Sequence, residues 1–425
     1  MSACSAVDHA HMAEALRLAQ RGLYTTQPNP RVGCVIARGA ERVGEGFHAR
    51  AGEPHAEVHA LRACGERARG ATAYVTLEPC AHHGRTPPCA DALVQAGVAR
   101  VVVACSDPFP RVAGAGIARL RDAGITVDAG LMQDAARELN RGFFSRIERD
   151  RPWLRLKLAM SLDGRTALAD GRSLWITGEA ARLDVARWRA CSSAILTGAG
   201  TARADDPHLT VRFDPRLAHG AGGNLDHLPP REDDRRHGPR SPQERGRGEG
   251  VPLAQRHEST EPSSPTLLPQ EEGSPATAFV PPLRVLLDTR LDALHTSAHL
   301  LDAAARTLIL HAPGATPAHS AYARAECVAL PLRDGRLDLH ATLALLAARG
   351  CNEVQVEAGA ALAGALLHAG LIDELLLYIA PVLLGDSARP LLRLPTLADM
   401  AARWQLRTLD QRMLGEDMRL LLRPT

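Results

Sequence analysis

One histidine and two cysteines, spread over 35 positions with a glutamate among them, carry the sharpest chemical signal in this 425-residue sequence: His55-Ala-Glu57, then Pro79-Cys80, then Cys89. One imidazole and two thiolates form the borderline-soft N/S donor set that zinc prefers, and three protein ligands leave a fourth position for water. A zinc ion held there brings the pKa of that water down towards neutrality. Glu57, two residues from the histidine and not itself a ligand, can take the water's proton and hand it to a departing nitrogen.

H-x-E followed by P-C and a second cysteine is the arrangement found in zinc nucleobase deaminases. The spacing departs from its short form, because eight residues, Ala81 to Pro88, separate the two cysteines. Pro87 and Pro88 stiffen that loop, and His82, His83 and Arg85 load it with groups able to meet an anionic substrate. A lone H-x-E is common by chance, and His59, one helical turn after His55, offers a rival H-x-x-x-H pair. The ordered set of four argues against both. Cys34, Cys105 and Cys351 lie in or beside apolar runs and are expected in the core.

The rest of the chain gives weaker signals. Thr197-Gly-Ala-Gly-Thr201 and Glu357-Ala-Gly-Ala-Ala-Leu-Ala-Gly364 each follow a strand-like run. Glycines there let a backbone approach a phosphate, and a helix N-terminus favours its charge; a plain tight turn reads equally well. No G-x-G-x-x-G follows a strand, which argues against a Rossmann fingerprint. Lys157 is the only lysine in a chain with 50 basic residues. An ammonium can supply a proton where a guanidinium in practice cannot, so Lys157 is a candidate donor, with Asp205 or Glu357 next in line. A lone charge at a strand edge is its plainer reading.

Hydrophobic periodicity sets out the elements that must position these groups. His9 to Arg21 reads as a helix and Val32 to Ala37 as a strand. Pro54 opens a helix running to about Arg67, Ala73 to Leu77 is a strand, Cys89 to Ala96 a helix ended by Gly97, and Val98 to Cys105 a strand. Both halves of the zinc set thus fall at helix starts. A second series begins with strand Trp153 to Met160, helix Glu179 to Ala190 and strand Ser193 to Thr197. It stops at residues 215–282, which hold 12 of the 29 prolines, many charges of both signs and almost no apolar periodicity. Such a stretch cannot bury enough surface to offset its ordering entropy and reads as a disordered insertion. Strand Leu283 to Asp288, strand Thr307 to His311, helix Leu339 to Arg349, strand Glu353 to Val356 and helix Leu362 to Ala369 follow. Leu375 to Ile379 closes the series.

At this point the sequence resembles a known family. Pro28-Asn-Pro-Arg-Val-Gly33, Gly52-Glu-Pro-His-Ala-Glu-Val-His-Ala60 and Thr76-Leu-Glu-Pro-Cys-Ala-His-His-Gly-Arg-Thr-Pro-Pro-Cys89 resemble the bacterial bifunctional riboflavin-biosynthesis deaminase–reductases, in which the longer cysteine spacing is normal. Leu156 to Thr166, Trp175-Ile-Thr177, Ala204-Asp-Asp-Pro207, Leu209-Thr-Val-Arg212 and Val356-Glu-Ala-Gly359 are similar to the reductase part of that family. The resemblance implies an α/β protein: a cytidine-deaminase-like three-layer domain over residues 1–148, then a dihydrofolate-reductase-like domain over 149–425. It implies hydrolytic deamination of a 2,5-diamino-6-ribosylamino-pyrimidinone 5′-phosphate to the uracil, then NADPH-dependent reduction of ribosyl to ribityl. Zn2+, one per chain, and NADPH are the implied cofactors. Asn29, His48 and His83 would line the pyrimidine and ribose-phosphate pocket. Ala159, Trp175, Thr201, Asp205, Thr289 and Gly359, Ala360, Ala361, Leu362, Ala363, Gly364 and Ala365 would contact NADPH. Ser173, Arg189, Leu209, Arg212 and Glu357 would contact the reductase substrate, with the two arginines suited to its phosphate.

Composition weighs against other classes. A net charge of +2 and 3 % aromatic residues give no basic, base-stacking groove, so a nucleic-acid deaminase is disfavoured. A second half that is catalytically dead and serves as a dimerisation scaffold stays open, to be decided by whether Lys157, Asp205 and Glu357 share one cleft. Nine cysteines, odd in number and scattered, suit reduced thiols. Met1 to Gln20 lacks signal-peptide order, and the longest apolar run, Leu366 to Leu384, is interrupted by Asp373 and Glu374. A cytoplasmic homo-oligomer, dimer or larger, with no membrane partner is the expectation.

Overall fold

The computed structural model describes residues 4–81, 88–109, 112–173, 176–212 and 280–425. The chain opens with α1 (Ala6–Gln20), started by a capping box in which Ser5 and Asp8 satisfy each other's backbone N–H. There follow β1 (Gly33–Arg38), β2 (Glu41–Phe47), α2 (Ala56–Cys64), β3 (Thr72–Val75), α3 (Cys89–Ala96), β4 (Arg100–Val103), α4 (Ala115–Asp122), β5 (Thr126–Ala129), α5 (Gln133–Leu139) and α6 (Arg141–Arg149). The sheet order is β2-β1-β3-β4-β5. Alternation along each strand sends side chains to two cores. Cys34, Ile36, Ala73, Val75, Val101 and Val103 meet α2, α3 and α4, whereas Val35, Ala37, Tyr74 and Val102 meet α1, α5 and α6. Three layers result.

The second series is β6 (Trp153–Ser161), β7 (Arg165–Ala167), α7 (Glu179–Ala190), β8 (Ala194–Gly198), α8 (Ala199–Asp205), β9 (Leu283–Leu287), β10 (Thr307–His311) and β11 (Glu326–Ala329). It continues through the short pair β12 (Leu332–Arg333) and β13 (Arg336–Leu337), then α9 (Leu339–Ala348), β14 (Glu353–Val356), α10 (Ala360–His368), β15 (Glu374–Ala380), β16 (Arg389–Pro390), β17 (Leu406–Leu414) and β18 (Asp417–Pro424). Nine of these strands form one sheet, β11-β10-β9-β8-β14-β6-β15-β18-β17. All neighbours from β11 to β15 are parallel. Parallel strands are buried on both faces, which is why Leu283 to Leu287 and Glu374 to Ala380 are almost continuously apolar. The crossover helices lie on both faces, and the carboxyl ends of the parallel strands open one crevice, the usual place for a ligand in such sheets.

Two expectations need correction. The helix expected from Pro54 begins later, with His55 as its N-cap, and stops at Cys64, where Gly65 takes φ 53° and a 3-10 turn continues to Ala68. The series does not close at Leu375 to Ile379: β18 pairs antiparallel with β15, and β17 with β18. That hairpin is hard to see because charged residues point inward, Arg419 being buried between Asp184 and Asp410. The expected insertion lies almost wholly outside the described residues; Val280 to Pro282 lead into β9, which pairs directly with β8, so the chain resumes in the same sheet.

The two sheets are joined by buried charges. Arg31, Arg141 and Arg155 converge on Glu353 at 2.7, 3.3 and 2.8 Å, and Arg155 also meets Glu374 at 2.8 Å. Burial alone would raise the Glu353 carboxyl, but these three guanidiniums hold it well below the usual carboxylate range. Pro28 accepts from the Asn352 amide and Cys191 from Gln27, both at 2.9 Å. The loop carrying Asn29 is therefore braced by the second sheet.

Candidate active sites

In the first unit, Nδ1 of His55 lies 3.2 Å from Sγ of Cys89 and 3.6 Å from Sγ of Cys80. These three are the only metal-competent cluster among the described residues, with all donor atoms within 4.8 Å of one another. His55 makes no capping bond at the head of α2, so its ring nitrogen is free to ligate. Cys89 is the first residue of α3, and its hydrogen bond with Cys80 together with burial pushes its thiol up. The Cys80 thiol is held low, foremost by the hydrogen bond from Cys89 and then by His55, so one proton leaves this trio readily. The donor set fits zinc.

Glu57 sits one step inside α2, 3 % exposed, and burial pushes its carboxyl up to about 7. Its Oε2 is buried and has no hydrogen-bond partner. An orphaned acid oxygen beside three converging ligand atoms fits a proton shuttle waiting for water. Helix α2 reaches this place because β2 lacks side chains at two points: a Cβ on Gly46 would lie 2.4 Å from the Ala56 carbonyl, and one on Gly44 2.5 Å from that of Ala60.

The Pro79-Cys80 turn has its own support. Glu78, 4 % exposed, accepts backbone N–H bonds from Asp107, Gly114, Gly116 and Ile117 at 3.2, 3.0, 2.9 and 3.1 Å. It thereby caps α4 and pulls it against the turn. A Cβ on Gly116 would lie 1.8 Å from the Pro79 carbonyl. Gly116→Ala is therefore expected to destabilise the protein by about 1–3 kcal/mol and to weaken zinc retention, measured by thermal unfolding and by chelator competition. A variant with unchanged melting and zinc affinity would show that α4 does not set the Cys80 position.

Asn29 and His48 lie beside the ligand cluster, with the His48 and His55 rings 5.2 Å apart. His48, buried, meets the Asn29 amide nitrogen through Nε2 at 3.1 Å and the Pro54 carbonyl through Nδ1 at 3.3 Å. Burial lowers its pKa, so it is held neutral. His59 is outside the ligand cluster, so the rival pair is not formed. Cys34, Cys105 and Cys351 are core, as expected. His82, His83 and Arg85 lie outside the described residues.

In the second unit the carboxyl ends of the strands line a cleft of about 1590 Å³. Lys157, Ala159, Ser173, Arg189, Thr201, Asp205, Leu209, Arg212, Thr289, Glu357, Gly359, Ala360, Ala361, Leu362 and Ala365 all face it. Thr201 accepts the Gly359 N–H at 3.1 Å, tying the two glycine turns together. Gly359 caps α10, and a Cβ there would meet nothing nearer than Thr201 at 3.7 Å, which leaves that backbone open to a ligand phosphate. Open turns beside a helix N-terminus fit a dinucleotide.

Ala363 and Gly364 do not reach the cleft. Ala363 is in the core, and a Cβ on Gly364 would lie 2.0 Å from the Arg393 carbonyl. That glycine serves packing. Arg189 grips Glu357 with two bonds of 2.6 and 2.7 Å and donates to the Thr210 carbonyl at 2.9 Å. Its fork is occupied by these partners, whereas Arg212, also on the cleft lining, is exposed. Burial would raise Glu357, but Arg189 outweighs it and holds the carboxyl at about 2, so Glu357 is ionised and no proton donor. Asp205 is pushed upward by desolvation. Leu209 is buried with φ 46°, a strained conformation for a side-chain-bearing residue that holds the 209–212 turn against the cleft. Trp175 lies outside the described residues. Sequence reasoning missed Glu78, Gly116, the residues around Arg389 to Arg393, and the β12–β13 pair.

Comparisons with known proteins cover both units. Residues 5–105 match the cytidine and deoxycytidylate deaminase zinc-binding region, and residues 152–419 match the RibD C-terminal domain. The chain is 45 % identical over 428 residues to riboflavin biosynthesis protein RibD of Escherichia coli, covering 98 % of this chain and 99 % of that one. It is 41 % identical to the protein of that name from Haemophilus influenzae, over 99 % and 98 % of the two chains. Among solved structures, RibD of Acinetobacter baumannii superposes with TM-score 0.78 at 41 % identity over 99 % of both chains. A diaminohydroxyphosphoribosylaminopyrimidine deaminase/5-amino-6-(5-phosphoribosylamino)uracil reductase from Thermotoga maritima gives TM-score 0.75 at 26 % identity over 99 % of both.

Proposed function

The chain belongs to the bifunctional riboflavin-biosynthesis deaminase–reductase family, and from that premise we propose which of its residues perform each reaction. It is a zinc hydrolase and an NADPH-dependent oxidoreductase acting on a small molecule. The deaminase unit spans residues 1–148 and the reductase unit 149–425. The first removes ammonia from 2,5-diamino-6-(5-phosphoribosylamino)pyrimidin-4-one, and the second reduces the ribosyl of the resulting uracil to ribityl. The observation that carries the reading is one chain bringing together the His55–Cys80–Cys89 cluster and a separate cleft containing Lys157, Asp205 and Glu357. The shared cleft removes the ground for treating the second unit as an inert scaffold.

In the deaminase, His55, Cys80 and Cys89 would hold the zinc, whose chemistry when bound would be the Lewis acidity that makes water nucleophilic near neutral pH. Glu57 receives the water's proton at Oε2 and returns one to the leaving amine. His48 carries its own proton on Nδ1, facing the Pro54 carbonyl, so Nε2 accepts from the Asn29 amide. With its amide nitrogen engaged by His48, Asn29 has its amide oxygen left to accept from the pyrimidine's N–H groups. In the reductase, Gly359, Thr201 and the start of α10 would hold the pyrophosphate of NADPH, whose chemistry when bound would be hydride donation. Arg189 fixes the Glu357 carboxylate as an acceptor for ribose hydroxyls. Arg212 meets the substrate phosphate, and Lys157 supplies the proton that accompanies ring opening.

Purified protein given the diaminopyrimidine phosphate should release ammonia with or without NADPH and should consume NADPH only after deamination. NADPH consumption with the undeaminated compound as the first step would overturn the order. Absence of ammonia release from zinc-replete protein would overturn the deaminase assignment. Among the described residues no helix is long and apolar enough to cross a membrane. A cytoplasmic homo-oligomer stays part of the proposal, to be measured by light scattering.

A further inference from the structure

The β12–β13 pair is a hairpin with a two-residue turn that lines the reductase cleft. Asp334 and Gly335 form its turn with φ 52° and 71°, both left-handed as a tight Asp-Gly turn requires. Register places Arg333 directly opposite Arg336, and Leu332 opposite Leu337. Directly opposed residues share a face of the hairpin with their Cβ atoms roughly 5 Å apart, and like charges there are destabilising. Two arginines locked across a tight turn are therefore unfavourable unless an anion lies between them.

Nearby acids answer only part of that charge. Asp338 spends Oδ1 capping α9, accepting from His340 and Ala341 at 2.8 and 3.1 Å, while Oδ2 faces Arg333 at 3.3 Å. Asp334 sits at the tip of the turn. Among the described residues Arg336 has no ion-pair partner, and both arginines line the cleft.

The sheet order says what anion that end of the cleft meets. Moving along the carboxyl edge from β6, which carries Lys157, the glycine turns after β14 and β8 come first and Thr289 after β9 comes next. Three strand spacings of about 4.8 Å separate β6 from β9, about 14 Å across the sheet, and the hairpin follows β11 on the far edge of that sheet. An extended dinucleotide with its nicotinamide near Lys157 and its pyrophosphate on the glycine turns directs its adenosine at Thr289 and the hairpin. We propose that Arg333 and Arg336 clasp the 2′-phosphate of the adenosine ribose, and so make this hairpin the element that selects NADPH over NADH. Guanidinium forks match a phosphate's paired oxygens, which suits two arginines on one face.

This assignment rests on the reductase reading, and its test separates the two. Wild-type and Arg336→Ala enzymes are assayed with the deaminated substrate and either NADPH or NADH, and inhibition by 2′,5′-ADP is compared with that by 5′-ADP. Arg336→Ala should raise the NADPH KM at least ~10-fold, as expected for one lost charge-assisted contact, while the NADH KM moves less than ~2-fold. Inhibition by 2′,5′-ADP should weaken in parallel and that by 5′-ADP should not. Arg336→Lys should recover part of the loss, and the Arg333→Ala/Arg336→Ala pair should lose more. Ammonia release at the other site reports that the variants are folded. Equal effects on both cofactors, or none on either, would overturn the assignment while leaving the reductase reading intact. A wild-type enzyme that oxidises neither cofactor would overturn both.

Discussion

Glu57→Gln is expected to keep a full complement of zinc and to deaminate about 10²–10⁴ times more slowly than the native enzyme, the range typical of a positioned acid–base group. Glutamine has nearly the same shape, so the packing around a side chain that is only 3 % exposed should survive. The ligand atoms of His55, Cys80 and Cys89 are untouched. What disappears is the oxygen that can gain and lose a proton, on a group that burial has brought to about 7. Both protonation states of the native acid are accessible near neutrality, as a shuttle requires. Metal content by elemental analysis and ammonia release together make the measurement. Zinc retained with near-native deamination would mean another base. Zinc lost would mean that Glu57 is needed to build the site and that its catalytic share is unmeasured by this variant; Glu57→Asp, which keeps the acid but shortens its reach, then separates the two roles. The same protein should still oxidise NADPH when given the deaminated substrate, because the reductase cleft has its own residues.

Whether a residue's role could be read from sequence depended on how local its cause is. The zinc ligands were legible because chemistry restricts the donor types and because His55 and Cys89 both begin helices, a local property. The parallel strands were legible because burial on both faces writes an apolar run such as Leu283 to Leu287. Gly364 was misread because a glycine that admits a phosphate and one that admits the Arg393 backbone look alike in one dimension. The pairing of Arg189 with Glu357 left no signal, because the partner lies 168 positions away. Glu78 left no signal, since four backbone N–H donors have no residue type. The β17–β18 hairpin was hidden by Arg419, whose inward charge is answered by Asp184 on α7 and Asp410 on β17.

Lys157→Arg is the second large effect, and it tests the one lysine of the chain. The residue sits on β6 between Leu156 and Leu158, opposite Leu376 of β15, with Nζ 5.9 Å from the Tyr378 ring centroid. Burial lowers its pKa, Glu357 opposes that shift, and the like charge of Arg189 adds to it. A lowered pKa makes the ammonium a stronger acid and so a better donor to the ribose oxygen released on ring opening. Arginine keeps the charge and gives up no proton at working pH. The variant should therefore bind NADPH normally by fluorescence titration and reduce the deaminated substrate at least ~100-fold more slowly, with ammonia release unchanged. A loss in kcat with little change in KM would assign the lysine to the transition state, since the positive charge survives the change. A rise in KM alone would assign it to binding and shape. Near-native reduction would free Lys157 of any catalytic duty and move the donor elsewhere in the cleft. Glu357 is a poor successor, because Arg189 holds it ionised at about 2. Asp205, whose carboxyl desolvation pushes upward, would inherit the role, and Asp205→Asn would be the variant to measure next.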